Sequence, residues 1–284
     1  IQDNTQDDKL KDNQFELVLV LHHLIADGWS RGILLRELLA GYRWHRQTNT
    51  SQSDVRKHQL SPLNFQYSDY ALQQQQWLKS DECDRQQSYW RQQLAAISDL
   101  NIPTDPLPTN EQSTSNLADT DFTSQTCLQT FSLAQTQAIK ALAQQSGTTV
   151  FMLLLAIFKL LLHRYSRQRD IAVGVPVAGR NTSAVEPLIG FFVNTLVLRS
   201  QIDPQQTFRS WLKQVQSVLA DALQHQDLPF SDVVDAVGVK RAPGENPLFR
   251  VMFQVQSGGY QLQNSRQLET GIPGLAISQQ WIEP

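Results

Sequence analysis

Two adjacent histidines, an aspartate and a glycine give one short segment of this chain the residue types that acid–base chemistry needs. The segment reads HHLIADG and contains His22, His23, Asp27 and Gly28. Imidazole titrates near neutral pH, so a histidine can take a proton from an attacking amine or hydroxyl, or can orient that nucleophile. The aspartate can pair with a cation, and the glycine lets the backbone approach closely.

Two other interpretations of the same segment stay open on the residues alone. A metal site would need both histidines to converge, but adjacent side chains on an extended strand point to opposite faces, and the spacing offers no third ligand. One histidine can instead be a core residue and the other a loop residue, which a His-His pair taken alone favours. The sequence contains no Gly-x-Ser-x-Gly elbow. Acyl chemistry here would therefore be direct transfer without a covalent acyl-enzyme.

The elements on either side must position these residues. Residues 15–21 form a short apolar run that is typical of a buried strand. Ser30 is a suitable N-cap, and apolar residues recur with helical spacing as far as Trp44. Trp29 and Trp44 are predicted to be core residues. The histidines and Asp27 then lie on a tight connection between a strand and a helix.

Strands and helices alternate in the rest of the chain, which favours an α/β sandwich of two similar lobes. The apolar patterns predict strands over residues 126–133, 170–177, 191–199 and 248–255. They predict helices over residues 67–79, 84–94, 134–145, 148–165 and 207–225, and a short helix capped by Ser231. The proline-containing and Ser/Thr-rich residues 99–125 are predicted to cross between the lobes.

Composition excludes some classes of protein. The net charge is −3, with 40% hydrophobic and 18% charged residues, so neither nucleic acid nor an anionic membrane is favoured as a partner. The apolar run at 150–162 contains Lys159 and is too short to cross a bilayer, so it predicts a buried helix with a packing role. Cys83 and Cys127 have neither zinc-like nor redox spacing, which suggests a reducing, cytoplasmic setting.

Six segments, taken in order, carry a family resemblance that covers about residues 15–256. HHLIADGWS resembles the HHxxxDG motif of the condensation domains of nonribosomal peptide synthetases and of the wider chloramphenicol-acetyltransferase-like acyltransferases. The other five segments are similar to further motifs of that family: YSDYA at 67–71, RYSRQRDIAVGVPVAGRN at 164–181, IGFFVNT at 189–195, HQDLPF at 225–230 and NPLFRVMF at 246–253.

The resemblance implies an α/β fold, a chloramphenicol-acetyltransferase-like two-lobe sandwich. Residues 1–98 would be the later part of the first lobe, 99–125 the lobe-crossing linker, 126–257 the second lobe, and 258–284 the domain end or linker to the next module. Family members have further strands and helices before the motif, which here begins at residue 22. We therefore expect an N-terminally truncated first lobe, and an isolated chain that is unstable or inactive.

The resemblance also implies a role for each motif residue. His23 would be catalytic and face a tunnel between the lobes, either as a general base or by positioning the amine. His22 would point into the structure and support it, Gly28 would shape the loop, and Asp27 would be structural. Asp27 is expected to pair with Arg180, unless Arg180 is a solvated loop residue.

Two further pairs of residues have two interpretations each. Asn194 and Thr195 would line the tunnel or pack within a strand. His225 and Asp227 end a long predicted helix, so helix capping explains them as well as chemistry does.

The implied reaction is amide (peptide) bond formation between a donor aminoacyl or peptidyl thioester and the amine of an acceptor aminoacyl thioester. Both substrates would be held on 4'-phosphopantetheine arms of upstream and downstream peptidyl carrier domains, beside an adenylation domain in a larger polypeptide. The domain itself is expected to bind no cofactor or metal.

Relatives that share this fold differ in reaction. Heterocyclization is excluded because both histidines are present. Arg31 after Ser30 argues against an epimerization-type relative, and the intact motif argues against a non-catalytic carrier-binding module. The residues of the motifs are most similar to those of condensation domains that accept an L-configured donor.

Overall fold

The computed structural model describes residues 17, 19–48, 60–103, 126–239 and 246–256, and the backbone of 268–269 and 276–277. The chain separates into two compact units. The first consists of residues 1–67 and 182–192, and the second of residues 68–181 and 193–284. Residues 68–98, which the sequence assigns to the first lobe, thus cluster with the second unit. Most of the predicted lobe crossing, 104–125, lies outside the described residues.

The first unit is built on one long helix, α1, Gly28–Thr48. It begins directly after Asp27, whose side chain accepts a hydrogen bond from the backbone N–H of Ser30. Asp27 is therefore the N-cap, and the prediction that Ser30 has this role is wrong. A carboxylate at this position also interacts favourably with the positive end of the helix dipole.

Two sequence predictions for this unit are corrected. The described part of the predicted strand, Leu17 and residues 19–21, is irregular and exposed, with Val20 89% exposed. A buried strand needs a neighbour to complete its hydrogen bonds, and none of the strand pairings in the described part of the chain involves these residues. Trp29 is 49% exposed rather than part of the core, while Trp44 is half-buried.

Six further helices lie in the described part of the chain, and side-chain caps explain where several of them begin. They are α2 Tyr67–Trp77, α3 Asp81–Gln93, α4 Leu133–Gln145, α5 Val150–Ser166, α6 Phe208–Gln224 and α7 Phe230–Val237. Ser80 caps α3, Thr149 caps α5 and Thr207 caps α6, each accepting from a backbone N–H. Ser132 and Gln135 form a reciprocal capping box at α4. Pro229 precedes α7 without a side-chain cap, so the predicted cap at Ser231 is wrong.

The central sheet of the second unit is an antiparallel pair, β1 Asp170–Val177 and β2 Asn194–Gln201. The register runs from Asp170 opposite Gln201 to Val177 opposite Asn194. A second antiparallel pair joins β3 Leu268–Glu269 to β4 Ala276–Ile277. The strand predicted over 248–255 is reduced to an isolated parallel bridge between Gly174 and Met252. The strand predicted over 126–133 is wrong, because residues 126–132 are irregular and exposed.

Helices α5, α6 and α7 pack against the β1–β2 pair, and α3 packs against α7; together they enclose the main core. Residues 171–175 of β1 are buried in an unbroken run, as expected when both faces of a strand are covered. Trp90 of α3 and Trp211 of α6 are each 1% exposed and donate their indole N–H groups to backbone carbonyls. The α/β class predicted from the sequence is confirmed.

Helix α5 is the predicted apolar helix and is packed in this core, with five buried side chains. Within the described ranges, no single helix is long and apolar enough to cross a membrane. Helices α4 and α5 satisfy that criterion only as a pair, which is bent by 101°.

Candidate functional site

The loop that contains the two histidines is fastened to residues 186–192 through Asp27 and Ser30. Both side chains are buried, Asp27 at 3% and Ser30 at 0% exposed. Asp27 Oδ1 lies 2.8 Å from the Ser30 backbone nitrogen and 2.7 Å from Ser30 Oγ, and Oδ2 accepts from the backbone N–H of Phe192 at 3.1 Å. The Asp27 backbone N–H donates to the carbonyl oxygen of Gly190 at 3.1 Å.

Ser30 completes this link. Its Oγ accepts from the Gly190 backbone N–H at 3.0 Å and lies 2.8 Å from the Gly190 carbonyl oxygen. A β-carbon at position 190 would collide with the rings of Tyr67 and Phe192, so only glycine fits there without a shift. We call Asp27, Ser30 and Gly190 the loop anchor.

Two aromatic residues add further hydrogen bonds around the loop anchor. The Tyr67 hydroxyl donates to the Phe191 carbonyl oxygen at 2.9 Å, and the Trp29 indole N–H donates to the Glu186 carbonyl oxygen at 3.0 Å. Burial raises the pKa of Tyr67, and the negative charge of Asp27 raises it further. Tyr67 therefore stays protonated and remains a donor at neutral pH.

Both histidines of the motif have exposed side chains. The ring of His23 meets the edge of the Phe191 ring, with centroids 5.5 Å apart and an interplanar angle of 83°. His22 Nδ1 accepts from the backbone N–H of Leu24 at 3.1 Å. The expectation that His22 points into the structure is therefore wrong, since the segment before it is itself exposed. Neither imidazole is a core residue.

The predicted site residue Gly28 is the first residue of α1. The remaining ones, Arg180, Asn194 and Thr195, lie in the second unit. Arg180 is buried, at 8% exposed, so it is not a solvated loop arginine, and it follows Gly179, whose φ is +64°. The pairing of Arg180 with Asp27 stays a prediction. Thr195 is half-buried at the start of β2, and its tunnel-lining role also stays a prediction.

The side chain of Asn194 is hydrogen-bonded to the segment 225–230. Its Nδ2 donates to the carbonyl oxygens of Gln226 and Leu228, both at 2.8 Å. Its Oδ1 accepts from the backbone N–H of Phe230 at 3.0 Å and of Thr195 at 2.9 Å. These bonds use both donors and both lone pairs of the amide, which favours the structural alternative for Asn194.

The segment 225–230, which we call the HQDLPF segment, is also held by α3. His225 caps α6 through its backbone N–H, as the capping interpretation predicts. Its Nε2 lies 2.9 Å from Arg85 Nη1, which can only donate, so Nε2 is the acceptor. The proton is then on Nδ1, which lies 2.7 Å from the Asp221 carbonyl oxygen. The ring of Tyr89 stacks on the His225 imidazole, with ring centroids 3.8 Å apart.

Sequence reasoning missed that Ser30, Gly190 and Tyr67 hold the loop in place, although each lies in a segment that carries the resemblance. Their roles depend on contacts between residues that are far apart in the chain, such as Ser30 and Gly190, and local spacing does not reveal such contacts. Taken together, the loop is anchored through Asp27 and Ser30 and exposes the imidazole of His23 to solvent. Such an imidazole can accept a proton from an amine or orient it.

Comparison with solved structures places this fold among condensation domains of the chloramphenicol-acetyltransferase-like class. A four-domain nonribosomal peptide synthetase, solved in its holo form with AMP and glycine, aligns with a TM-score of 0.66 and 29% identity over 88% of this chain and 18% of that one. The first condensation domain of the calcium-dependent antibiotic synthetase, with a substrate analogue, aligns with a TM-score of 0.60 and 20% identity, covering 88% of this chain and 50% of that one.

Residues 8–282 match the family model described as the condensation domain, and the chain belongs to this family. It is 37% identical over 250 residues to tyrocidine synthase 3 of Brevibacillus parabrevis, covering 88% of this chain and 4% of that protein. It is 34% identical over 282 residues to gramicidin S synthase 2 of Aneurinibacillus migulanus, covering 96% of this chain and 6% of the synthase. The chain thus spans a small fraction of these relatives.

Proposed function

We propose that this chain carries the catalytic motif of a condensation domain that forms peptide bonds. The donor is an aminoacyl or peptidyl thioester, and the acceptor is the amine of an aminoacyl thioester. The amine attacks the thioester carbonyl carbon, a C–N bond forms, the C–S bond breaks, and the thiol of the donor arm leaves. The amine loses one proton in this step, and the departing thiolate gains one to become the thiol.

The observation that supports this proposal is the anchored loop with His23 exposed. Asp27 and Ser30 fix the backbone at the C-terminal end of the motif, four residues after His23, and the ring of His23 contacts the ring of Phe191. A fixed imidazole lowers the entropy cost of bringing a base to the attacking amine. His23 acts in this proposal as the general base or as the group that orients the amine.

The partners in this proposal are an upstream donor and a downstream acceptor peptidyl carrier domain, each supplying a 4'-phosphopantetheine arm, with an adenylation domain alongside. The membership of the chain in the family, whose relatives here include large synthases, supports this assignment. A cytoplasmic location belongs to the same proposal. It is supported by Cys83 and Cys127, both of which are free thiols.

The test is dipeptide formation in the protein that contains this chain, with donor and acceptor carrier domains loaded and the product followed by mass spectrometry. We expect His23→Ala to lower the rate by about 100-fold or more, the range of general acid–base catalysis. His45→Ala is the matched control, because His45 is exposed at the other end of α1. An unchanged rate for His23→Ala would overturn the role of His23.

Two alternatives from other classes give different products in the same assay. Inversion of the α-carbon of a loaded residue without amide formation would identify an epimerization-type relative. Binding of loaded carrier domains by the unmodified protein, with neither amide formation nor epimerization, would identify a non-catalytic carrier-binding module.

A further inference from the structure

Gln86, in the middle of α3, is buried at 1% exposed, yet it belongs to none of the motifs that carry the family resemblance. Its Oε1 accepts from the backbone N–H of Leu228 at 3.1 Å. Its Nε2 lies 3.0 Å from Glu82 Oε1 and 3.4 Å from Asp227 Oδ2. The amide of Gln86 therefore holds the HQDLPF segment by its backbone and by one of its side chains.

Asp227 also accepts a hydrogen bond from a second segment of the chain. Its other carboxylate oxygen, Oδ1, accepts from Asn181 Nδ2 at 2.6 Å. Asn181 directly follows Arg180 in the turn whose Gly179 has a positive φ. A single carboxylate thus accepts from two amides, one on α3 and one on the turn that carries Arg180.

We propose that Gln86 and Asp227 are positioning residues that fix the Gly179–Arg180 turn through Asn181. The relay Gln86–Asp227–Asn181 lies entirely within the second unit. The donor and acceptor roles in the relay are fixed, because both amides donate and the carboxylate of Asp227 accepts. Its relevance to turnover rests on the proposed function and on the pairing of Arg180 with Asp27 that the family resemblance predicts.

The chemistry of the relay predicts which substitutions break it. In Asp227→Asn the side chain has one acceptor and one donor group, so it can satisfy Asn181 or Gln86 but not both. In Gln86→Glu the acceptor for Leu228 is kept, but a carboxylate then faces Asp227 and Glu82. Each single change therefore removes one link, and Gln86→Glu adds repulsion.

The double variant Gln86→Glu with Asp227→Asn reverses the polarity of one link and restores it. The new asparagine donates to the new carboxylate and accepts from Asn181. The double variant still lacks the bond to Glu82, and the Glu82 side chain, which is 45% exposed and paired with Arg85 at 2.7 Å, makes the recovery partial. A residue with only a packing role would show additive losses instead of rescue.

The first readout is hydrogen exchange of the backbone amides of residues 178–182, measured by mass spectrometry on the full protein. We expect faster exchange in each single variant and a return towards the unmodified protein in the double variant. Gln92→Glu is the matched control, because it makes the same chemical change at an exposed position of α3. Unchanged exchange in Asp227→Asn, or no return in the double variant, would overturn the relay.

The second readout is the rate of dipeptide formation in the same variants. We expect a loss of roughly threefold to tenfold in each single variant, the range that one hydrogen bond carries, and recovery in the double variant. Altered exchange at 178–182 with an unaltered rate in an active protein would overturn the positioning role. If the unmodified protein forms no amide, the proposed function fails, while the exchange measurement still decides whether the relay exists.

Discussion

The buried carboxylate of Asp27 forms hydrogen bonds with several groups that hold the loop. It caps α1, bonds the hydroxyl of Ser30, and accepts from the backbone of Phe192. The family resemblance suggests a structural role for this residue, and its contacts explain which structure it maintains. His23 can then be exposed on a loop that does not itself contribute to the core.

Replacing Asp27 by alanine leaves the backbone donors of Ser30 and Phe192 without their acceptor in a buried place. We expect the free energy of unfolding to fall by about 2–4 kcal/mol, combining a lost cap with unsatisfied buried donors. Urea denaturation measures this, with Arg36→Ala as a control at an exposed position of α1. Asp27→Asn keeps one acceptor and should lose less. A loss for Asp27→Ala no larger than the control would show that the cap is not important for stability.

Among the elements, the contact between α5 and β2 contains an unusual feature for a helix that the sequence assigns to packing. Lys159 is completely buried, at 0% exposed. Its Nζ donates to the Leu198 carbonyl oxygen and to Ser200 Oγ, both at 2.7 Å. Burial lowers the pKa of Lys159 to about 7, against a smaller opposing effect of Asp170. A neutral amine has two N–H groups, enough for both acceptors.

This lowered pKa predicts how stability depends on pH. Between pH about 7 and 10.5 the folded chain holds fewer protons on Lys159 than the unfolded chain. The free energy of unfolding therefore rises with pH through this window, and the contribution is lost as the pH falls to about 7. Its size is on the order of a few kcal/mol.

The measurement is the thermal midpoint at several pH values between 6 and 10. We expect Lys159→Met, which keeps the side-chain volume, to raise the midpoint at pH 6 and to flatten its dependence on pH. Lys140→Met on α4 is the control, since Lys140 is exposed. Identical pH profiles for Lys159→Met and the unmodified chain would show that Lys159 does not titrate in this window.

On the scale of the whole molecule, the two units differ in how much apolar surface they bury. Of the described side chains of α1, only Ser30 and Ile33 are buried, and Leu38 and Tyr42 are exposed. Helix α5, by contrast, buries five side chains against β1 and its neighbours. Stability within a chain follows such differences, because poorly covered helices open at lower cost.

We therefore expect the backbone amides of α1 to exchange with solvent faster than those of α5 and β1. Hydrogen exchange of the 284-residue chain, followed by mass spectrometry of peptides from each element, measures the difference. The same experiment shows whether the first unit opens before the second. Equal protection of α1 and α5 would contradict this prediction.

Local patterns in the sequence were sufficient for most helices and for the central strands. The apolar spacing of α5 and α6 and the run at β1 correspond to elements that are buried in the structure. The failures were at residues 17 and 19–21, at 126–132 and at 248–255, where apolar residues suggested strands, and only the last region keeps a single bridge. A strand is completed by a neighbour, and apolar composition does not say whether a neighbour is there.

The sequence by itself determined the family, the α/β class and the identity of the motif residues. These depend on residue types and on their order along the chain, and both can be read directly from the sequence. The tertiary structure decided the cap at Asp27, the partners of Ser30 and Asn194, and the burial of Lys159 and Arg180. Each of these is a contact or an environment created by residues distant in the chain, and a hydrogen bond depends on positions in space that spacing along the chain does not define.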